Sequence, residues 1–142
     1  MTIATILMEK GHAVVTIEAT ARLADAVGLL DAKGIGALLV MEGQRVAGVL
    51  SERDVVRALA RGGAESLGRP VSALMSAPVV TVAPTDSVES AMALMTERRF
   101  RHLPVVEGGA LVGIVSIGDL VKCRIDEACR EAAALKDYIA MA

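Results

Sequence analysis

The chain contains the same sequence pattern twice, and this repeat constrains its fold more than any other feature. When the 142-residue sequence is shifted by 65 positions, residues 14–59 align with residues 79–124 without a gap, and fourteen of the 46 pairs are identical. Nearly half of the other pairs exchange one apolar residue for another. Because two copies are too few for an open solenoid, we expect them to pair into one closed unit with pseudo-two-fold symmetry.

Each copy has the same predicted strands. Short runs rich in β-branched residues open the copies, and two buried apolar runs joined by a Gly-containing turn follow as a hairpin. We predict three strands in each copy, at residues 14–17, 37–41 and 46–50 and at residues 79–82, 102–106 and 111–115.

Two helices per copy complete the pattern. Thr20 and Thr85 are predicted to cap the first helix of each copy, and Ser51 and Ser116 are predicted to open the second. The sequence therefore predicts an α/β (α+β) fold of two β-α-β-β-α repeats. A linker rich in Gly and Pro, with a short helical turn at residues 71–75, joins them.

The last helix continues past the second copy. Its apolar residues recur at steps of three and four, and we predict an Asp126–Arg130 ion pair on the opposite face. The predicted divisions are residues 5–65 and 66–124 for the two repeats and residues 125–142 for the C-terminal helix. A helix with such an apolar stripe needs a partner surface, so we expect a two-fold homodimer.

Composition excludes several classes of protein. Hydrophobic residues make up 54%, which excludes a disordered chain. A net charge of -2 and 1% aromatic residues argue against a nucleic-acid partner, and no apolar run is long enough to span a membrane. We expect no secretory signal at the N-terminus, because it has no basic region and only a brief apolar stretch. Cys123 and Cys129 are predicted to lie on different helix faces, without metal-ligand spacing. We expect a reduced, cytoplasmic protein without a metal site.

A polar pattern ends each hairpin. Gly48 is followed by Ser51 and Asp54, and Gly113 by Ser116 and Asp119. One interpretation is structural, because Ser followed by an acid three residues later resembles a helix capping box. The other is ligand binding, because a helix N-terminus suits a phosphate and a carboxylate can accept the hydroxyls of a ribose.

A basic stretch precedes the hairpin of the second copy alone. Residues 98–102 hold three Arg and one His, which suit either the helix dipole or a phosphate. No nucleophile lies beside a base, and the glycine pairs lack the dinucleotide-loop pattern, so an enzyme such as a nucleotide hydrolase has little support.

The duplicated Gly-x-x-Ser-x-x-Asp pattern, together with His-Leu-Pro-Val-Val at residues 102–106, resembles the cystathionine-β-synthase (CBS) domain. Two in tandem look like a Bateman module, and the C-terminal helix resembles that of small stand-alone bacterial CBS pairs. The resemblance implies homodimers with clefts between the paired domains for AMP, ADP, ATP, NAD(H) or S-adenosylmethionine.

Carried over residue by residue, the resemblance implies two ligand-binding clefts. Cleft one comprises Lys10, Val14, Val15, Gly34, Ile35, Gly36, Ala37, Ser116 and Asp119. Cleft two comprises Ser51, Arg53, Asp54, Ser76, Val79, Val80, Arg99, Phe100, Arg101 and His102. The family often has a second hydroxyl just before the Asp, where this chain has Arg53 and Gly118. Cleft one therefore lacks a phosphate donor, whereas Arg53 supplies a charged one in cleft two.

The sequence thus predicts a non-catalytic sensor that binds an adenine nucleotide and signals to a regulated protein whose identity is unknown. The alternative is a ligand-free dimeric interaction module, in which Ser and Asp only cap helices.

Overall fold

The computed structural model describes residues 1–141, so Ala142 of the predicted tail lies outside the described residues. The described part contains five α-helices and five β-strands, and the predicted α/β fold is confirmed. In chain order these are α1 (Ile3–Lys10), β1 (Thr16–Glu18), α2 (Leu23–Lys33), β2 (Ala37–Glu42), β3 (Arg45–Ser51), α3 (Glu52–Gly62), α4 (Val88–Arg98), β4 (His102–Glu107), β5 (Ala110–Ser116) and α5 (Ile117–Met141). Two 3-10 turns, Gly63–Gly68 and Val71–Ala73, join α3 to the second copy.

The first copy forms a three-stranded sheet in the order β1-β2-β3. β1 runs parallel to β2, and β2 runs antiparallel to β3 with Leu38 opposite Leu50. β2 is central, and its residues Leu38, Leu39 and Val40 are all fully buried. Both faces of this strand are therefore covered, which explains its continuous apolar run. The first strand begins at Thr16 rather than at residue 14 as predicted.

The second copy has a two-stranded sheet of β4 and β5. The predicted strand at residues 79–82 is wrong, because Val82 alone of these residues pairs with β4 in the described chain. Its N–H donates to the Pro104 carbonyl at 3.0 Å, and its carbonyl accepts the Val106 N–H at 2.9 Å. Val79 and Val80 line a cavity instead.

Each hydrophobic core includes a segment from outside its own repeat. Ile3 and Leu7 of α1 are buried in the core of the second copy, against residues such as Leu103. Val71, with Met75 packed beside it, belongs to the core of the first copy. The predicted boundaries 5–65 and 66–124 follow the sequence repeat, whereas the packing crosses them. This exchange fixes the two copies against each other.

The predicted cap at Thr85 is wrong. α4 begins at Val88, and its cap is Ser87, whose hydroxyl accepts the Ser90 N–H at 3.0 Å. The Asp86 carboxylate accepts the Ala83 N–H at 2.8 Å. This bond holds the preceding residues in a turn, which delays the helix.

The predicted cap at Thr20 is also wrong, because α2 begins at Leu23 and follows Arg22, which makes no side-chain cap bond. The Leu23 N–H donates to the Arg69 carbonyl at 2.9 Å. The start of α2 is therefore set by a contact with a segment far along the chain.

The longest helix is α5, with 25 residues. Leu120 in its first turns is fully buried, whereas every residue from 128 to 141 is exposed. The second half of α5 therefore projects from the fold. Among residues 1–141 no helix combines the length and the apolar content needed to cross a bilayer.

The predicted ion pair between Asp126 and Arg130 is not among those the described residues form. Arg124 instead pairs with Glu89 of α4 at 2.8 Å and with Glu127 at 2.9 Å. The Arg124–Glu89 pair attaches the first half of α5 to α4, whereas the Arg124–Glu127 pair lies within α5.

Candidate functional site

The glycines of the repeated pattern lie where other segments cross the strands. A Cβ at Gly48 in β3 would lie 2.9 Å from the Ser76 carbonyl oxygen and would overlap the Met75 side chain. A Cβ at Gly113 in β5 would lie 2.7 Å from a methyl group of Leu7. Glycine at both positions leaves room for these crossing segments, which pack directly on the strands. This packing places Ser76 beside the start of α3.

Ser51 and Asp54 form a complete capping box at the start of α3. Asp54 Oδ2 accepts the backbone N–H of Ser51 at 2.9 Å and its hydroxyl at 3.1 Å. Ser76 donates its hydroxyl to Asp54 Oδ1 at 3.0 Å, and Asp54 is only 6% exposed. Asp54 thus caps the helix, and a ligand hydroxyl could reach Oδ1 only by displacing Ser76 or binding beside it.

A cavity of about 450 Å³ opens at the N-terminus of α3, within the usual range for small-molecule sites. It lies between the two copies, because residues after β3 form one side and residues before β4 form another. All ten residues assigned to cleft two line it: Ser51, Arg53, Asp54, Ser76, Val79, Val80, Arg99, Phe100, Arg101 and His102. We refer to it as the first cavity.

Arg99 has an unusual backbone conformation at the edge of the first cavity. It ends α4 with φ +59°, in the left-handed region, and is the one residue other than glycine with positive φ among residues 1–141. The matching position of the first copy is Gly34, with φ +61°. A side chain there costs about 1–2 kcal/mol, and such strain is typical of functional sites.

The charge of the first cavity comes from arginine rather than histidine. Burial lowers the pKa of His102 below its ordinary value, and the charge of Lys10 lowers it further. His102 is therefore neutral at neutral pH in the ligand-free protein. The positive charge comes from the four arginines that line the cavity, Arg53, Arg57, Arg99 and Arg101.

Three polar residues of cleft one are in direct contact. The Ser116 N–H donates to Asp119 Oδ2 at 2.8 Å, and the Lys10 ammonium donates to the same oxygen at 2.7 Å. Burial alone would raise the pKa of Asp119, but the bonds from Lys10 and Ser116 outweigh it and lower that pKa below its ordinary value. An ammonium thus lies beside the carboxylate of cleft one, where cleft two has the Ser76 hydroxyl.

The other predicted residues of cleft one are not joined to these three residues by hydrogen bonds. Gly36 lines the first cavity, where its carbonyl accepts the Glu52 N–H at 3.0 Å. The remaining five make no described hydrogen bond to Lys10, Ser116 or Asp119: Val14, Val15, Gly34, Ile35 and Ala37.

Sequence reasoning missed several residues of the first cavity. Arg57 and Glu52 line it, as do Val49 and Pro78. Arg57 could have been found, because it follows Arg53 by four residues and shares its helix face. Val49 and Pro78 carry no polar signal, and only the fold brings them to the cavity.

The family model of the CBS domain matches residues 4–61 and 71–126. The chain therefore belongs to the CBS-domain family and carries two such domains in tandem. Its fold is similar to the crystal structure of the CBS-domain containing protein ATU1752 from Agrobacterium tumefaciens. That likeness has a TM-score of 0.84 and 42% sequence identity, and it covers 87% of this chain and 99% of that chain.

Two further CBS proteins are similar to this chain, one in sequence and one in structure. The CBS domain-containing protein CBSX3, mitochondrial, of Arabidopsis thaliana is 38% identical over 120 residues, which are 81% of this chain and 58% of that relative. This chain thus spans little more than half of the plant protein. CBSX2, solved in complex with AMP, has a TM-score of 0.72 and 25% identity, over 89% of this chain and 98% of that chain.

Proposed function

We propose that the chain is a non-catalytic regulatory module that binds an adenosine-containing nucleotide between its paired CBS domains and signals its occupancy to a partner protein. The observation that carries this proposal is the first cavity, which lies at a helix N-terminus between the two copies and is lined by four arginines. The complex of CBSX2 with AMP supports an adenosine ligand. AMP, ADP, ATP, NAD(H) and S-adenosylmethionine are the candidates.

Each part of such a ligand has a suitable surface in the first cavity. Phosphate groups suit the start of α3 together with Arg53, Arg99 and Arg101. The ribose diol suits Asp54 Oδ1, where it would take over the bond now donated by Ser76. The half-buried side chains of Val79, Val80 and Phe100 offer an apolar surface for adenine.

Cleft one is proposed to bind the same nucleoside with less charge preference. Asp119 can accept a ribose hydroxyl, and Lys10 is the cation beside it. Because one partly exposed ammonium is a weaker phosphate site than several guanidinium groups, cleft one should discriminate little between AMP and ATP.

A second candidate function, a ligand-free dimeric interaction module, is favoured by the complete capping box at Ser51 and Asp54. In that case the polar pattern only stabilises α3. Thermal-shift measurements separate the two candidates, because a ligand at 100 times its Kd stabilises the folded protein by about 2.7 kcal/mol. A pure interaction module gains nothing from any nucleotide.

The assembly and the compartment are also proposals. Val56 and Leu59 of α3 and Val121 and Ile125 of α5 are apolar and exposed, so we expect a second copy to cover these helices. Two free cysteines are consistent with the reducing cytoplasm.

Calorimetric titration of variants with AMP and ATP tests the proposed function. Asp54→Asn and Asp119→Asn should each weaken binding at their own cleft about tenfold or more, because a hydrogen bond to a charged group is lost. Asp86→Asn is the matched control, since Asp86 also accepts a backbone N–H but lines neither cleft. Nucleotide affinity that is unchanged in both cleft variants, or equally reduced in the control, contradicts the proposal.

A further inference from the structure

A second cavity lies along α3 and adjoins the first. Its volume is about 590 Å³, and both cavities are lined by Asp54, Arg57, Ser76 and Phe100. The two spaces therefore meet at these four residues. The second cavity continues along α3 toward the 3-10 turns.

The walls of the second cavity are basic. Arg57 and Arg61 reach it from α3, and Arg69 reaches it from the end of the first 3-10 turn. Its one carboxylate is Asp54, whose two oxygens already accept hydrogen bonds from Ser51 and Ser76. The cavity therefore has an excess of positive charge.

The arginines form a continuous path from one cavity to the other. Arg53, Arg57 and Arg61 follow one another at steps of four residues, so they share a face of α3. Arg53 lines the first cavity, Arg57 lines both and Arg61 lines the second. None of them belongs to the ion pairs of the described residues. Like charges at this spacing destabilise a helix, so a bound anion would relieve a standing repulsion.

We infer that the second cavity is an anion subsite, which takes the distal phosphates of a nucleoside polyphosphate whose nucleoside lies in the first cavity. This inference rests on the proposed function. One guanidinium group can donate two parallel hydrogen bonds to the oxygens of a phosphate. Several arginines in a row therefore suit a chain of phosphates. The other walls are mainly small or apolar, such as Ala58, Ala73 and Leu74, and offer few hydrogen-bond partners to a second sugar.

The test uses Arg61→Gln and Arg69→Gln, because these residues line only the second cavity. The full chain is titrated with AMP, ATP and inorganic tripolyphosphate at low and physiological salt. Both variants should bind ATP about five- to tenfold more weakly and bind AMP as the parent does, with a smaller difference at higher salt. Arg45→Gln is the matched control, since Arg45 begins β3 and lines neither cavity.

The outcomes distinguish this inference from the proposed function. ATP affinity that is unchanged in both variants, or AMP and ATP affinities that fall equally, overturns the subsite. A third outcome is that tripolyphosphate binds, that Arg61→Gln weakens its binding and that neither nucleotide binds. The second cavity is then a site for a free phosphate chain, and the proposed nucleotide function is wrong. If none of the three probes binds the parent protein, both fail.

Discussion

At the scale of single residues, Arg99 shows a conflict between folding and ligand binding. Its left-handed backbone would suit glycine, as at Gly34 in the first copy, yet the chain has an arginine there. The guanidinium lines the first cavity. The backbone strain therefore has a functional explanation if this side chain contacts phosphate.

Arg99→Gly should change stability and affinity in opposite directions. Relief of the left-handed strain, less the greater freedom of glycine in the unfolded chain, should raise the free energy of unfolding by about 0.5–1 kcal/mol. Loss of the guanidinium should weaken ATP binding several-fold. Urea denaturation and calorimetric titration measure the two effects.

Arg99→Asn is the control variant, because asparagine also tolerates this backbone conformation, and it should lose the same affinity for ATP. An Arg99→Gly protein that keeps its full affinity for ATP refutes the phosphate role.

At the scale of secondary-structure elements, the crossing segments determine which glycines can change. Gly48→Ala would push a Cβ against the backbone carbonyl of Ser76, so we expect the free energy of unfolding to fall by about 1–3 kcal/mol. Gly113→Ala meets the flexible end of Leu7 and should cost less. Chemical denaturation compares the two variants.

The control for this comparison is Gly28→Ala in α2, where a Cβ would meet nothing within 4 Å. Since alanine favours a helix interior, this variant should gain about 0.5–1 kcal/mol of stability. If Gly48→Ala is as stable as Gly28→Ala, the close approach of residues 75–76 to β3 is not what requires glycine at position 48.

Much of the element order could be predicted from the repeat, because hydrophobic periodicity and Gly-containing turns are local signals. The start of α2 and the loss of the strand at residues 79–82 could not, since both depend on distant contacts. Leu23 bonds to Arg69, and Val79 and Val80 face a cavity. Likewise, the resemblance supplied the ten residues of cleft two, but the hydrogen bonds that Ser51 and Ser76 donate to Asp54 could be seen only in the fold.

At the scale of the whole molecule, the free half of α5 determines how copies can meet. Its apolar positions alternate steps of four and three residues, the spacing of a coiled-coil seam. They are Val121, Ile125, Ala128, Ala132, Leu135 and Ile139. Leu135 is 60% exposed and Ile139 is 64% exposed, so residues 1–141 of one chain leave this part of the seam uncovered. The α5 helix of a second copy could cover it.

Removal of this seam should therefore separate the proposed dimer without unfolding the domains. Deletion of residues 125–142 removes most of the seam, and Leu135→Glu places a charge in it. Either change should shift the protein from dimer to monomer in sedimentation or native mass spectrometry.

Ala133→Glu is the matched control, since residue 133 lies outside the seam and this change should leave the dimer intact. The core would persist, as Leu120 and the Arg124–Glu89 pair precede the deletion. A Leu135→Glu protein that stays as dimeric as Ala133→Glu shows that α5 is not the interface.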